Sequence, residues 1–523
     1  MRPDEAIKRL QAWHVGRPLP AYKTRHFAIG EKENLLIVAF VRMGGESAPW
    51  GIAWGHPGET PEIRTVPEAR NRDAVAEMVA NFAPVLLKHY WSPLTHDWTE
   101  ARQRNVGLPL RQVWMPNGSH IDMLHVLAYS YISTKYGDEA RYRTLNALGR
   151  LSGWLFREHD RPGQMTVMAA TDALRSMYVF PSEDVRQAHL GYLLAWLETP
   201  GKREKRLQAA QQAEERSISV TLDPAIERDI LEPLVEKWND HRLGSRTREA
   251  AKRDIEATIS KELKDRFALV EQTIQHLHTR GPRENRGVAK LGDGSLEEHW
   301  FQYLRLELRR DDPDDGNDFT PPPETDRNPA AAASRYFIQQ ASQEFCTAAL
   351  IHDDEALQRD ALMEGDGIRG TCVKVRDEGE GTRSMLAVWT IRAPEIAPLR
   401  IREGDTLCAV GRPERELQVL SIERKKGDVL EVELSVISKK HGYSDGRGRK
   451  QPAANSKAFV GEELVLVPVS MDQISRGKNK KIWNRNVPGY WMTHANPEEL
   501  RASSASSQTR DDADNLFERL GRL

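Results

Sequence analysis

The amino-acid sequence predicts a multidomain α+β protein with a small N-terminal antiparallel-sheet unit, a large helical middle and a C-terminal small β-barrel. Three observations predict this class. The chain has 523 residues, which is too many for one hydrophobic core. Short β-prone runs separated by turn residues lie near both ends of the chain. Between them, apolar residues recur at helical spacing.

The N-terminal unit is predicted to span residues 1–115. Its β-prone runs HFAI, LLIVAFVRM, WGIAW and EIRTV are separated by turns such as Gly44-Gly45, which is typical of an antiparallel meander. A helix is predicted over residues 73–90, where apolar residues form one stripe. This unit presents no clustered acid, base and nucleophile, so a docking or scaffold role is expected for it.

The helical domain is predicted to span residues 116–310. Ser119 is expected to cap its first helix. Further helices are predicted over residues 140–158, 167–180, 182–197 and 246–279. The longest carries one apolar stripe at steps of four or three: Ile255, Ile259, Leu263, Phe267, Val270, Ile274 and Leu277. We interpret this stripe as the core of a bundle, with a dimer seam as the alternative.

Residues 311–333 are rich in aspartate, proline and alanine and predict a linker. A barrel domain is predicted over residues 334–495, followed by a flexible tail over residues 496–523. Six β-prone runs at even spacing predict a small closed barrel or sandwich: IRGTCVKVRD, RSMLAVWTIR, DTLCAVG, ELQVLSIERK, DVLEVELSVIS and ELVLVPVSM. The phrase IREGDTLCAVG resembles a turn in the small barrels inserted into superfamily 1 helicases.

Residues 436–491, the cationic segment, stand apart in charge. They hold eleven Lys and Arg against four Asp and Glu, a net charge of +7 in a chain of net charge -2. Clustered cations beside aromatic residues suit a phosphate backbone and unstacked bases. The alternative is that these charges only keep two loops solvated. The predicted nucleic-acid-binding residues are Lys439, Lys440, Arg447, Arg449, Lys450, Arg476, Lys478, Lys480, Lys481, Trp483 and Arg485.

Trp483 is embedded among cations and not in an apolar run. We therefore expect its side chain to be exposed and to stack on a base. The alternative is that Trp483 anchors its loop to the barrel.

Four residues form a metal-like constellation, namely His120, His125, His159 and Asp160. A helical bundle with an early His, a His-Asp dipeptide and a later Asp resembles metal phosphohydrolases of the HD type, with Asp172 or Asp223 as the later ligand. The chain departs from that family's His-Asp-x-Gly ending. Polar residues at helix ends are the favoured interpretation, and no metal or cofactor is predicted.

Other motifs limit the classes of function that the sequence predicts. No GxxxxGK[ST] occurs, so a P-loop motor is expected to be another chain. Residues 365–370 match GxGxxG, but a strand is predicted after them where a phosphate-binding turn needs a helix. Three separated cysteines predict no disulfide framework. No apolar run has the length of a membrane span, and the charged first residues predict a soluble, cytoplasmic protein.

Together these features predict a nucleic-acid-binding, non-catalytic subunit of a larger bacterial assembly that serves antiviral defence or DNA processing. Its partners would be DNA or RNA and a protein that carries the motor or nuclease. Two alternatives from other classes remain open: a metal-dependent HD-like phosphohydrolase and a protein-interaction scaffold.

Overall fold

The structure is a computed structural model. It describes residues 3–21, 27–45, 47–91, 110–132, 140–161, 163–279, 290–291, 294–295, 340, 346, 350–352, 354–378, 386–394, 399–437, 442–444, 450–452 and 458–468. The predicted linker, residues 311–333, and the predicted tail, residues 496–523, lie outside these ranges.

The helices among the described residues are α1 Pro3–Val15, α2 Arg72–Leu86, α3 Gly118–Tyr131, α4 Ala140–His159, α5 Ala170–Met177, α6 Leu190–Glu198, α7 Arg203–Glu214, α8 Glu232–Asn239, α9 Ser245–Thr279 and α10 Glu355–Glu364. The strands are β1 Leu19–Pro20, β2 Leu35–Arg42, β3 Pro49–Gly55, β4 Glu62–Thr65, β5 Gln112–Met115, β6 Val167–Ala169, β7 Tyr178–Val179, β8 Lys290–Leu291, β9 Gly294–Ser295, β10 Ile368–Glu378, β11 Leu386–Pro394, β12 Thr406–Ala409, β13 Arg412–Lys425, β14 Val429–Val436, β15 Gly442–Ser444, β16 Lys450–Pro452 and β17 Glu463–Val467.

The predicted fold class is confirmed: a sheet unit, a helical middle and a closed antiparallel barrel follow one another along the chain. The first sheet has five strands in the order β4-β3-β2-β5-β6. Its first three strands form the antiparallel meander, whereas β5 and β6 join in parallel to β2. Strand β2 is apolar along nearly its whole length because helices cover both faces of a central strand.

Side chains alternate between the two faces of this sheet. On one face Trp54 and Phe40 contact Phe82 of α2, with ring centroids 5.4 Å and 6.1 Å apart. On the other face β3 presents Gly51 and Gly55, whose missing side chains admit α9. A Cβ at Gly51 would lie 2.9 Å from side-chain atoms of α9. The sheet is therefore the middle of three layers.

Every apolar residue of the stripe predicted on α9 is buried. The helix packs across strands β2, β3 and β4, so the sheet of its own chain covers the stripe. The same core extends from Phe27 to Leu277, also contains Cys346, and includes residues on both sides of the domain boundary predicted after residue 115.

Three predicted elements differ from the structure. The helix predicted over residues 167–180 is strand β6, the short helix α5 and strand β7. The helix predicted over residues 182–197 begins only at Leu190, after a 3-10 turn at Arg186–Ala188. The run HFAI is not a strand over its described residues 27–29. There the side chain of Gln112 bonds to the main chain instead, donating to the Ala28 carbonyl at 3.0 Å and accepting from the Gly30 N–H at 3.0 Å.

All six strands predicted for the barrel are present and close in the order β10-β11-β14-β13-β12-β17. Strand β14 shows how the sequence separates the inner and outer faces of the barrel wall, because its leucines and valines alternate with acids. Leu430, Val432 and Leu434 fill the second core, whereas Glu431 and Glu433 face outward. The GxGxxG match begins after α10 and ends within β10. The N–H groups of Asp366 and Gly367 donate to the Ala361 carbonyl and end the helix.

No helix in the described part of the chain is both long enough and apolar enough to cross a membrane.

Candidate nucleic-acid interface

Of the eleven predicted nucleic-acid-binding residues, Lys450 lies on a described strand, β16. The other ten lie outside the described residues: Lys439, Lys440, Arg447, Arg449, Arg476, Lys478, Lys480, Lys481, Trp483 and Arg485. The structure therefore fixes the framework from which the cationic segment extends.

Part of the first basic loop forms a β-hairpin. Strand β15 pairs with β16 in antiparallel register, with Tyr443 opposite Gln451 and Ser444 opposite Lys450. The connection between the two strands, residues 445–449, reads DGRGR and contains two of the predicted arginines, Arg447 and Arg449. It lies outside the described residues.

The hairpin lies in sequence between strands β14 and β17. Neighbouring strands of the barrel are antiparallel throughout, so β14 ends and β17 begins at the same end of the barrel, at Val436 and Glu463. We call it the hairpin end. In the barrel order β14 and β17 are three positions apart among six strands, so they lie on opposite sides of the barrel.

Strand β17 runs from the hairpin end to the opposite end, where Pro468 follows it. The second basic stretch, residues 476–485, therefore follows a strand that ends on the side of the barrel opposite the hairpin end. The two basic stretches are neighbours in sequence, but the barrel separates the strand ends from which they continue.

A tight turn over residues 459–462 leads into β17. The Phe459 N–H donates to the Glu462 carboxylate at 3.2 Å, and the Glu462 N–H donates to the Phe459 carbonyl at 3.0 Å. Gly461 has a φ of 93°, which a side chain would disfavour, and its N–H donates to the Cys372 carbonyl at 2.8 Å. The Cys372 N–H returns a bond to the Glu462 carbonyl at 2.9 Å. The turn is thus tied to strand β10.

Phe459 and Val460 project from this turn, with 63% and 65% of their surface exposed. Sequence analysis began the sixth predicted strand at Glu463, with the run ELVLVPVSM, and did not single out the apolar pair that precedes Gly461. The signal that separates the pair from this strand is Gly461, which directly follows the apolar pair.

On the barrel wall, cations pair with acids of neighbouring strands. Arg392 lies 2.6 Å from Glu431, and Lys425 lies 3.7 Å from the same carboxylate. The hydrogen bond from Arg392 lowers the pKa of Glu431. Arg376 similarly lies 3.1 Å from Glu433. Positive charge on this part of the wall is therefore largely balanced.

His120, predicted as a candidate metal ligand, is fully buried in the first turn of α3. Its Nδ1 accepts the Phe40 N–H at 3.0 Å, and its Nε2–H donates to the Ile218 carbonyl at 3.1 Å. Burial, with a smaller contribution from the positive charge of Arg266, lowers the pKa of His120 to about 3. Both ring nitrogens are occupied by the main chain, so His120 joins β2 to the segment around residue 218 as a neutral side chain.

The rings of His125 and His159 both contact the ring of Phe156, with centroids 4.9 Å and 5.0 Å from its centroid. His159 Nδ1 donates to the Phe156 carbonyl, and its Nε2 lies 3.0 Å from the largely exposed Asp160. Asp223, considered as a later ligand, instead accepts the Ala225 N–H. Within the described ranges, no three His, Cys, Asp or Glu side chains come together as a group that could hold a metal ion.

A further polar cluster joins residues far apart in sequence. His276 Nδ1 donates to Glu198, and its Nε2 accepts the Tyr178 hydroxyl at 3.0 Å. A base oriented by a carboxylate is the arrangement that activates a nucleophile. Here, however, burial and the charge of Glu198 raise the pKa of the Tyr178 hydroxyl, so it stays protonated. The cluster ties α6, α9 and β7 together.

A scan of the chain against protein-family models finds no match, and a search of curated proteins finds none that is significantly similar.

Proposed function

We propose that this chain binds nucleic acid through the cationic segment carried by its C-terminal barrel, as a non-catalytic subunit of a larger assembly. The observation that carries the proposal is the β-hairpin that lies in sequence between barrel strands β14 and β17, with Lys450 on its second strand. The rest of the assembly would include a protein that carries the motor or nuclease, because the chain contains no P-loop motif. DNA and RNA are both open as ligands.

Charge supports this assignment. The described cations on the barrel wall at Arg376, Arg392 and Lys425 lie beside carboxylates. By contrast, the cationic segment has a net charge of +7. A polyanion binds with the highest affinity where clustered cations displace its condensed counterions.

The contacts of His120, Tyr178 and His276 support a non-catalytic role for the sheet unit. Their polar atoms join distant parts of the fold. Burial lowers the pKa of His120 and raises that of Tyr178, which keeps both side chains neutral.

The test compares the unmodified full-length protein with three triple variants, by fluorescence anisotropy with labelled single-stranded and duplex oligonucleotides at several salt concentrations. One variant replaces Arg447, Arg449 and Lys450 by alanine, and a second replaces Lys478, Lys480 and Lys481. Each cation that contacts a phosphate contributes about 0.7–0.9 to the slope of log affinity against log salt. We therefore expect either triple substitution to reduce that slope by about two.

The matched control replaces Lys205, Lys261 and Lys264, which are exposed lysines of α7 and α9. It removes the same charge from the sheet unit and should leave the slope unchanged. Equal slopes for all three variants, or no binding by the unmodified protein, would remove the cationic segment from the proposed role.

A further inference from the structure

Phe459 and Val460 form an exposed apolar pair at the hairpin end of the barrel. More than half of each residue's surface is exposed. Two adjacent large apolar residues in water on a folded barrel indicate a contact surface more strongly than isolated ones do.

The turn that carries them is fixed on both sides. Phe459 and Glu462 exchange two hydrogen bonds across it, and the main chains of Gly461 and Cys372 join it to β10. A side chain displayed from such a turn loses little conformational freedom when it binds, and preorganisation of this kind increases affinity. The aromatic ring of Phe459 is therefore held outward by its backbone.

Phe459 follows strand β16 by seven residues and precedes β17 at the hairpin end of the barrel. The chain from Val436 to Glu463 holds six Lys and Arg against three Asp and Glu, a net charge of +3. A cationic environment attracts a polyanion and disfavours a purely apolar partner. Of the possible occupants, a nucleic acid matches both the charge and the aromatic surface.

We propose that Phe459 is a stacking residue that selects single-stranded over duplex nucleic acid. In a duplex both faces of a base are covered by neighbouring bases, whereas in a single strand a base can turn out and stack on an aromatic ring. This inference rests on the proposed function and adds the class of ligand to it.

The experiment measures the affinity of full-length Phe459→Ala and Phe459→Trp for a single-stranded oligonucleotide and for its duplex. Stacking on an aromatic residue contributes enough that Phe459→Ala should weaken single-strand binding about 5- to 150-fold. Phe459→Trp should retain binding. Duplex affinity should be unchanged in both variants, and so should the salt slope, because no charge is removed.

Met363→Ala is the matched control, since Met363 is 53% exposed on α10 and lies near Gly365, whose carbonyl accepts the Arg400 N–H at the other end of the barrel. It should leave both affinities unchanged. If Phe459→Ala binds single strands as the unmodified protein does, the inference is wrong, and the apolar pair belongs to a protein contact.

Equal losses for single strands and duplex would also overturn selection by stacking. These failures are distinct from failure of the proposed function. If the cationic triple variants change the salt slope but Phe459→Ala has no effect, the proposed function stands without this inference. If the unmodified protein binds neither oligonucleotide, both are wrong.

Discussion

Replacing His120 by leucine tests how the sheet unit is held together. The leucine fills a similar space but offers no partner to the Phe40 N–H or the Ile218 carbonyl, both of which now bond to the imidazole. A buried backbone group without a partner costs about 1–3 kcal/mol. We therefore expect the free energy of unfolding at pH 7.5 to fall by about 2–6 kcal/mol.

The same substitution should change the dependence of stability on pH. Burial lowers the pKa of His120 to about 3, from an ordinary value of 6.5. Below pH 6.5 the unfolded chain binds a proton that the folded chain does not, so stability is lost as the pH falls towards 3. The loss is about 1.4 kcal/mol per pH unit, or about 3 kcal/mol between pH 6.5 and 4.5.

The His120→Leu variant has no imidazole to titrate at this position. The difference in unfolding free energy between the variant and the unmodified protein should therefore become smaller as the pH falls. Burial, with the charges of His56 and Arg111, also lowers the pKa of His89, to about 4. That contribution has the same sign but is present in both proteins. It therefore cancels in the difference.

The assay is urea unfolding at pH 7.5, 5.5 and 4.5, followed by the fluorescence of the buried tryptophans of the first core. His125→Leu, on the exposed side of the same helix, is the control and should change the free energy of unfolding by less than about 0.5 kcal/mol. An unchanged His120→Leu midpoint at pH 7.5, or a deficit that widens as the pH falls, would refute the reasoning.

Two further predictions follow from packing and charge. Gly51→Val should destabilise the sheet unit by about 1–3 kcal/mol in urea unfolding, because its Cβ would lie 2.9 Å from Ile259 and Leu263. Gly45→Ala is the control, since no atom lies within 4 Å of the Cβ that it adds. Residues 311–366 hold fourteen acids against three basic residues, a net charge of -11. Because this acidic stretch is tethered to the same chain, it should compete with the phosphates of a nucleic acid for the cationic segment. Neutralising five aspartates with asparagine should therefore strengthen nucleic-acid binding at low salt by about tenfold, and no gain in affinity would exclude this competition. The five are Asp311, Asp312, Asp314, Asp315 and Asp318.

The sequence by itself predicted the six barrel strands and the buried stripe of α9, because both depend on local periodicity. In β14 every second residue points inward, so leucine and valine alternate with glutamate along the strand itself. In α9 seven apolar residues return to one side of the helix, whichever surface covers them. The charge of the cationic segment is likewise a property of the sequence alone.

Short elements escaped prediction for the same reason. Strands β5 and β6 have four and three residues, too few to establish a period. They are strands because β2 offers its edge to β5, and β5 in turn offers its other edge to β6. Pairing between distant segments decided their structure.

Tertiary structure also decided the role of His120. In the sequence it is one of several histidines near a His-Asp pair, which is compatible with a metal ligand. Its two partners lie 80 and 98 residues away, and both of its nitrogens bond to them. Phe459 is a similar case, since its exposure depends on hydrogen bonds between its turn and strand β10. A side chain's chemistry depends on which groups surround it, and here folding brings those groups from distant parts of the chain.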